Sequence, residues 1–359
     1  MSDSVTLHNG ETLHISVLNP PLADNLTHLV WWNIAKPELV SGAVSPWLHT
    51  AYYVGKINGS IAGTLACYKP ADTHDIGVIE FVKTEEQHRH KGIADAILGL
   101  AIDHFRTSGG KALYLCTANP SAGALYEKHG FKYHLGDGMR YLAPGFENFD
   151  ETNFRYSGAG TVRNAHWGDL PRVSALYNHD QPDWLIKDYL SQSFVDTRFE
   201  QHFMKLMKRT EGDDGDYLVM ESPEHSVVGA AAILRFDSYY EQHVAELTLR
   251  VVPAYDDHIG EMFLMAEERA RNLGISIPQI HAAQCDTSQL AHLKDAGFSE
   301  QGRFKEHLMT DEGLIDMLIY RKRLGTPPAR TYTRDHYYGG RFVWQQNKID
   351  QEGATCQSK

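Results

Sequence analysis

The sequence predicts an α/β (α+β) chain built as two tandem domains, each a sheet flanked by helices. Three observations lead there. Strand-like and helix-like apolar patterns alternate in the order strand, helix, strand, helix. The same order returns in the second half, and Gly130-Phe131 is echoed by Gly297-Phe298 at the end of the last helix of each half. At 359 residues and 42% hydrophobic content, the chain has material for two cores. Gly-rich, polar residues 143–160 mark the boundary, giving domains over 1–148 and 149–325. A polar tail over 326–359 contains Pro327-Pro328 and is either a docking arm or partly disordered.

In the first half, two β-rich runs in "TAYYVGKINGSIAGTLACY" flank Asn58-Gly59, a hairpin signal because both turn positions tolerate positive φ. Residues 77–84, "GVIEFVKT", are apolar at nearly every position and predict a strand buried on both faces. A helix follows over 92–108, with Ile93, Ile97, Leu100 and Ala101 on one face and Gly109-Gly110 as its stop. Next come a strand in "KALYLCT" and a short helix in "SAGALYEKHGF" closed by Gly130. The second half offers a hairpin in "YLVMESPEHSVVGAAAIL", a strand in "VAELTLRVV" and a helix ended by Gly274. It finishes with a strand in "PQIHAAQCD" and a helix ended by Gly297.

A formal charge of −12 argues against nonspecific nucleic-acid binding, which needs Lys and Arg against phosphates. A cationic or neutral partner suits it better. Cys67, Cys116, Cys285 and Cys356 lie far apart without C-x-x-C spacing, so neither a metal site nor a disulfide framework is expected. The N-terminus lacks a basic stretch leading into an apolar one, and no run of 18 apolar residues occurs, so a cytoplasmic, non-membrane protein is expected.

Within this acidic chain, "EEQHRHKGIADAILGLAI" gathers Arg89, His90, Lys91 and Gly92 directly before a helix. A buried strand, a short loop and a helix start put free N–H groups and the positive helix end in one place, which suits an anion. Gly92 permits close backbone approach, and Arg89 and Lys91 add charge. The run Arg89-His90-Lys91-Gly92-Ile93-Ala94 matches R-x-x-G-x-A and follows the strand end Val82-Lys83-Thr84. Downstream, Asn119, Ala122, Leu125, Tyr126, Gly130 and Phe131 fall in register with a second segment. On these residues, spanning about 45–142, the first half resembles the GNAT superfamily of N-acyltransferases.

That resemblance implies a mixed, strongly twisted sheet splayed between its fourth and fifth strands, here residues 78–84 and 111–117, with pantetheine inserted as a pseudo-strand. Backbone groups at Val82 and Thr84 would bond the pantetheine amides. The amides from His90 to Ala94 would hold the pyrophosphate, and Asn119 would complete the cofactor-binding set. The co-substrate would be acetyl-CoA, with no metal, and the acceptor a small-molecule primary amine attacking the thioester directly. Tyr126 would protonate the departing thiolate. Glu80, the one acid in its apolar run, would act as base through water. His74, Asp75, His88 and His90 are further proton carriers or plain loop residues. Trp31, Trp32, Trp47, Tyr52 and Tyr53 could wall an apolar or cationic acceptor, or pack the core.

The second half departs from the pattern. Asp256-Asp257 stand where the basic pair belongs and would repel pyrophosphate, and Leu293 stands at the tyrosine position and cannot donate a proton. It therefore reads as a degenerate copy that serves as scaffold and lends residues to the acceptor cleft, with Trp184, Asp188 and Tyr189 as candidates. Two other readings remain open: a non-catalytic acyl-CoA sensor, and an enzyme of this fold using a different donor or acceptor. A monomer or a homodimer fits equally.

Overall fold

The computed structural model describes residues 2–187, 199–212, 214–236 and 239–326. Residues 327–359 of the tail, and Asp188 and Tyr189, lie outside the described residues. The first half comprises β1 (Ser2–Thr6), β2 (Thr12–Leu18), α1 (Lys36–Ser41), β3 (Leu48–Ile57), β4 (Ser60–Pro70) and β5 (Ile76–Thr84). It continues with α2 (Ile93–Thr107), β6 (Ala112–Cys116), α3 (Pro120–Lys128), β7 (Lys132–Leu135) and β8 (Gly138–Leu142). The second half runs α4 (Phe149–Asn153), β9 (Thr161–Asn164), α5 (Leu170–Tyr177), α6 (Phe199–Thr210), β10 (Gly215–Glu221) and β11 (Val227–Arg235). It closes with β12 (Val244–Val251), α7 (Ile259–Asn272), β13 (Ile277–Ala283), α8 (Thr287–Asp295), β14 (Ser299–Thr310) and β15 (Gly313–Arg321).

Among the described residues the strands form two mixed sheets, ordered β1-β2-β3-β4-β5-β6-β8-β7 and β14-β15-β13-β12-β11-β10-β9. The architecture is that of two tandem α/β domains. Each sheet has one parallel pair, β5 with β6 and β12 with β13, and each pair holds for three residues before the strands diverge. The expected splay is there, but it separates the fifth and sixth strands, because β1 pairs ahead of the strand with which the expected count began.

Local chemistry explains the elements. Asn58 and Gly59 take φ of 50° and 81°, the double left-handed turn that lets β3 and β4 twist together. Asn119 caps α3 by accepting the Ser121 N–H at 3.0 Å, and Asp286 caps α8 by accepting the Gln289 N–H at 3.0 Å. Both helices end on a left-handed glycine, and the next N–H turns back: Phe131 to the Tyr126 carbonyl at 3.1 Å, Phe298 to that of Leu293 at 2.8 Å. The repeat therefore extends to the bonds that start and stop its helices. β5 departs from the fully buried strand expected of it: Ile76 to Ile79 are buried, while Glu80 and Val82 are only partly so. The strand opens where β6 leaves it.

The two halves share one hydrophobic core. Helix α5, buried along its whole length, packs on β4, β5 and β6 of one sheet and on β11 of the other. Tyr52, Tyr68, Val78 and Tyr114 of the first half join Leu170, Val173, Leu176 and Tyr217 of the second in that core. Burying Leu170, Val173 and Leu176 contributes roughly 1.5–3 kcal/mol each. Arg172 on the same helix, 2% exposed, reaches across to Asp72 at 2.6 Å. The second half is thus built into the face that the first half's sheet turns away from α2.

Candidate active site

The site follows from one break in the β4–β5 ladder. Thr64 pairs with Lys83 and Ala66 with Glu80, so one residue of β4 faces two of β5. Phe81 absorbs the extra residue at φ 54°, a left-handed conformation costly for a side chain of its kind, and its carbonyl accepts the Thr64 hydroxyl at 3.2 Å. Such a bulge re-aims the backbone beside the open edge that β6 leaves after Val78.

A cavity opens there, and it brings together Glu80, Val82, Asn119 and Tyr126 from the expected set. Tyr126, 6% exposed, comes from the buried face of α3 and packs on Phe131. Burial, with the Glu80 charge nearby, pushes its phenol above the usual tyrosine range, so it stays protonated at neutral pH and is able to donate. Trp31 and Trp32 line the same cavity, their rings set edge-on to Phe81 with centroids at 4.7 and 5.0 Å. The lining also includes residues that the sequence reading did not single out, among them Cys116, at the end of β6, and Glu200. Glu200 belongs to α6 of the second half and is 2% exposed. The sequence points to the stretch over 178–203 as a source of cleft residues, but nothing local marks this acid among them.

Beyond β5 the loop makes a tight turn over Glu86–His88 and leads into α2. His90 and Gly92 both adopt left-handed backbone, at φ 63° and 84°. A side chain at Gly92 would also press on the His8 ring at 3.0 Å. The Ala96 N–H to Gly92 carbonyl bond, 3.0 Å, begins the helix, so the preceding amides from Gly92 to Asp95 have no partner within it. Arg89 and His90 are exposed. Lys91 turns aside to Glu11 at 2.9 Å, and together with Asn9 it holds that carboxyl below its usual range. Asp95, in the first turn of α2, binds Lys128 at 2.7 Å and His129 at 2.8 Å, tying α2 to α3.

Other candidates lie elsewhere. His74 and Asp75 sit at the opposite end of β5 from Thr84, where Asp75 binds Lys111 at 3.2 Å and His74 packs on His49. At about 3.3 Å per residue the length of the strand separates them from the cleft. Tyr52 is core, Tyr53 faces His104 across the other side of the sheet at 3.2 Å, and Trp47 is exposed outside the cavity. The aromatic wall thus reduces to Trp31 and Trp32.

The second sheet has the same divergence but a different interior. Its β11–β12 ladder runs from Arg235 paired with Ala245 to Gly229 paired with Val251 without a register break. By the shared parallel pairing, Thr248 stands where the first half has Glu80. Arg250, 3% exposed, crosses the gap to Asp286 at 2.6 Å and also donates to the Ile186 carbonyl, while the Trp184 ring lies 5.4 Å from its guanidinium. Trp184 is therefore part of this second cleft and not of the cavity in the first domain. Leu293 is fully buried, and Asp256 faces His292 at 3.7 Å, with burial raising its carboxyl.

Residues 24–131 match the family model of the acetyltransferase (GNAT) family. No curated protein matches the chain. Among solved structures, a phosphinothricin acetyltransferase from Sinorhizobium meliloti in complex with acetyl-CoA is 19% identical, over 49% of this chain and 95% of its own, with a TM-score of 0.42. A ribosomal-protein-alanine N-acetyltransferase from Brucella melitensis is 23% identical, over 45% of this chain and 99% of its own, at 0.39. A spermidine N-acetyltransferase from Vibrio cholerae is 16% identical, over 48% and 99%, at 0.39. At these identities and scores they add nothing to the architecture already described. No described helix is long and apolar enough to cross a membrane, and no group of three metal-ligating side chains occurs among the described residues.

Proposed function

We propose that the first domain transfers the acetyl group of acetyl-CoA to the primary amine of a small molecule by direct attack. The observation that carries this is the meeting, in one cavity, of the Phe81 bulge, the open edge of β5 and the buried, protonated Tyr126. Pantetheine amides find partners on the strand edge at Val82 and Thr84, as a further strand would. The pyrophosphate is held by amides from His90 to Ala94, with charge from Arg89. Asn119 orders the start of α3 beneath it. Lys91 adds less charge, since Glu11 already claims it.

The amine must be neutral to attack, and Glu80 takes up its proton through water. A backbone N–H at the bulge polarises the thioester carbonyl as the C–N bond forms. The C–S bond then breaks, and Tyr126 gives its proton to the coenzyme A thiolate. No cysteine acyl intermediate is required, so both substrates bind before either product leaves. The second domain does not bind acyl-CoA. Its gap is spanned by Arg250 and Asp286, and its loop carries Asp256 and Asp257 in place of a basic pair.

The test is calorimetric titration of acetyl-CoA into the wild type and Arg89→Glu, followed by release of free thiol with a panel of amines. One site per chain, weakened at least tenfold by the substitution, is the expected result. Absence of binding to the wild type overturns the acetyltransferase reading, and two sites per chain overturn the assignment of the second domain.

A further inference from the structure

We infer that Glu11, in the turn between β1 and β2, is a positioning residue for the loop before α2: it holds Lys91 off the pyrophosphate and keeps coenzyme A binding weak enough for release. This rests on the acetyltransferase reading and adds to it a control on cofactor affinity. Strands β1 and β2 close with Thr6 opposite Thr12. The turn between them is tied by the Leu7 N–H to the Glu11 carbonyl at 2.8 Å and by the Gly10 N–H to that of Leu7 at 2.9 Å. Leu7, 6% exposed, anchors it in the core that also buries Ile93 and Ile97 of α2. The turn therefore sits on the loop: the His8 ring lies against Gly92, and Glu11 Oε2 accepts from Lys91 Nζ at 2.9 Å. Asn9 fixes the same carboxyl, donating its amide to Oε2 at 2.5 Å while its own oxygen accepts the Glu11 N–H at 3.1 Å.

Charge decides what this contact does. Lys91 and Asn9 hold the Glu11 carboxyl below its usual range, so it is ionised at neutral pH. It stands one lysine side chain from the backbone whose amides would hold the pyrophosphate, a separation comparable with the Debye length of about 8 Å at physiological salt. There it cancels the Lys91 charge and repels the phosphates. Lys83, just before the loop, is taken in the same way by Glu85 at 2.8 Å. An exposed pair such as Lys91–Glu11 adds little to stability, and its effect falls on the anion that enters its field. Phosphate contacts are the same before, during and after acetyl transfer. Affinity gained from them lowers KM without speeding the chemistry, and it slows the departure of coenzyme A. A carboxyl fixed on one of the loop's own cations moderates that contact.

The experiment titrates coenzyme A and acetyl-CoA by calorimetry into the full chain as wild type, Glu11→Gln, Lys91→Gln and the double variant, with thermal midpoints as the folding check. Each is measured at about 0.05 M and about 1 M salt. At low salt Glu11→Gln should bind both ligands about threefold to tenfold tighter, because Lys91 is freed and a repulsion is removed. At high salt, where the Debye length is about 3 Å, it should come within about twofold of wild type. Lys91→Gln should bind about threefold to tenfold more weakly at low salt, since it leaves the Glu11 charge uncompensated, and the double variant should return to within about twofold of wild type. In turnover, Glu11→Gln should lower the KM for acetyl-CoA by the same factor without raising kcat. A Glu11→Gln protein that binds as wild type does, or more weakly as the loss of a purely structural tie would give, overturns the inference. So does a gain that persists at high salt. Failure of every variant to bind either ligand overturns the acetyltransferase reading and this inference with it, whereas a wild type that binds beside an unchanged Glu11→Gln overturns this inference alone.

Discussion

The two clefts of this molecule have the same walls and opposite interiors. In each, a parallel strand pair holds for three residues and then parts, and a short helix capped by Asn119 or Asp286 stands at the opening. In the first, a bulge at Phe81 breaks the neighbouring ladder, and a cavity with Glu80 and Tyr126 remains. In the second the ladder is unbroken, and the Arg250–Asp286 ion pair, with Trp184 beside it, lines the cleft instead. The divergence of the strands is therefore only a frame. One backbone irregularity and a few side chains decide what lines the frame.

The largest effect should come from Tyr126→Phe, which removes the hydroxyl proposed to donate the proton and keeps the ring. Turnover, followed by thiol release, should fall about 10²–10⁴-fold while acetyl-CoA affinity changes less than threefold. A fall below tenfold would assign Tyr126 to packing, as Leu293 is assigned in the second cleft. Next is Arg250→Met, which leaves Asp286 buried without its ion partner. It should cost about 3–5 kcal/mol in denaturant unfolding and leave the acetyl-CoA stoichiometry at one. A gain of a second site there would mean that the ion pair, and not the straight ladder, keeps that cleft shut.

Gly92→Ala should be milder. A left-handed alanine costs about 1–2 kcal/mol, and its methyl crowds His8, so the thermal midpoint and acetyl-CoA affinity should drop together. The smallest effect should be that of Asp95→Asn, which loosens α3 from α2. Although partial burial pushes the other way, Lys128 and His129 hold the Asp95 carboxyl below its usual range. A depressed folded value means the added stability is present above the unfolded carboxylate pKa and is lost as pH falls through the folded one. The difference in thermal midpoint between wild type and Asp95→Asn should therefore exist at pH 7 and close toward pH 3. A difference that persists at pH 3 would show that the clamp is not ionic.

Much of this was legible without coordinates. Asn58-Gly59 specified its hairpin because only two left-handed residues fit that turn, and the glycines at 130 and 297 stopped their helices for a similar reason. That a basic loop precedes α2, and that Asp256-Asp257 stand at the corresponding place in the second half, could be read because charge and local spacing are properties of the chain itself. Contacts between distant segments could not. The left-handed Phe81 has no local signature, since an aromatic in a β-rich run favours the ordinary strand conformation. Lys91 is drawn off by Glu11, eighty residues away, and Trp31 and Trp32 are separated from Trp47, Tyr52 and Tyr53 by the direction each side chain takes from its element. Glu200 enters the first cleft only because α5 and α6 bury their apolar faces in a core common to both halves. Local pattern determined the strands, the helices and the left-handed glycine turns, whose causes lie within a few residues. Tertiary packing decided what lines each cleft and which acid of the second half reached the first, because those outcomes depend on atoms brought together from opposite halves of the chain.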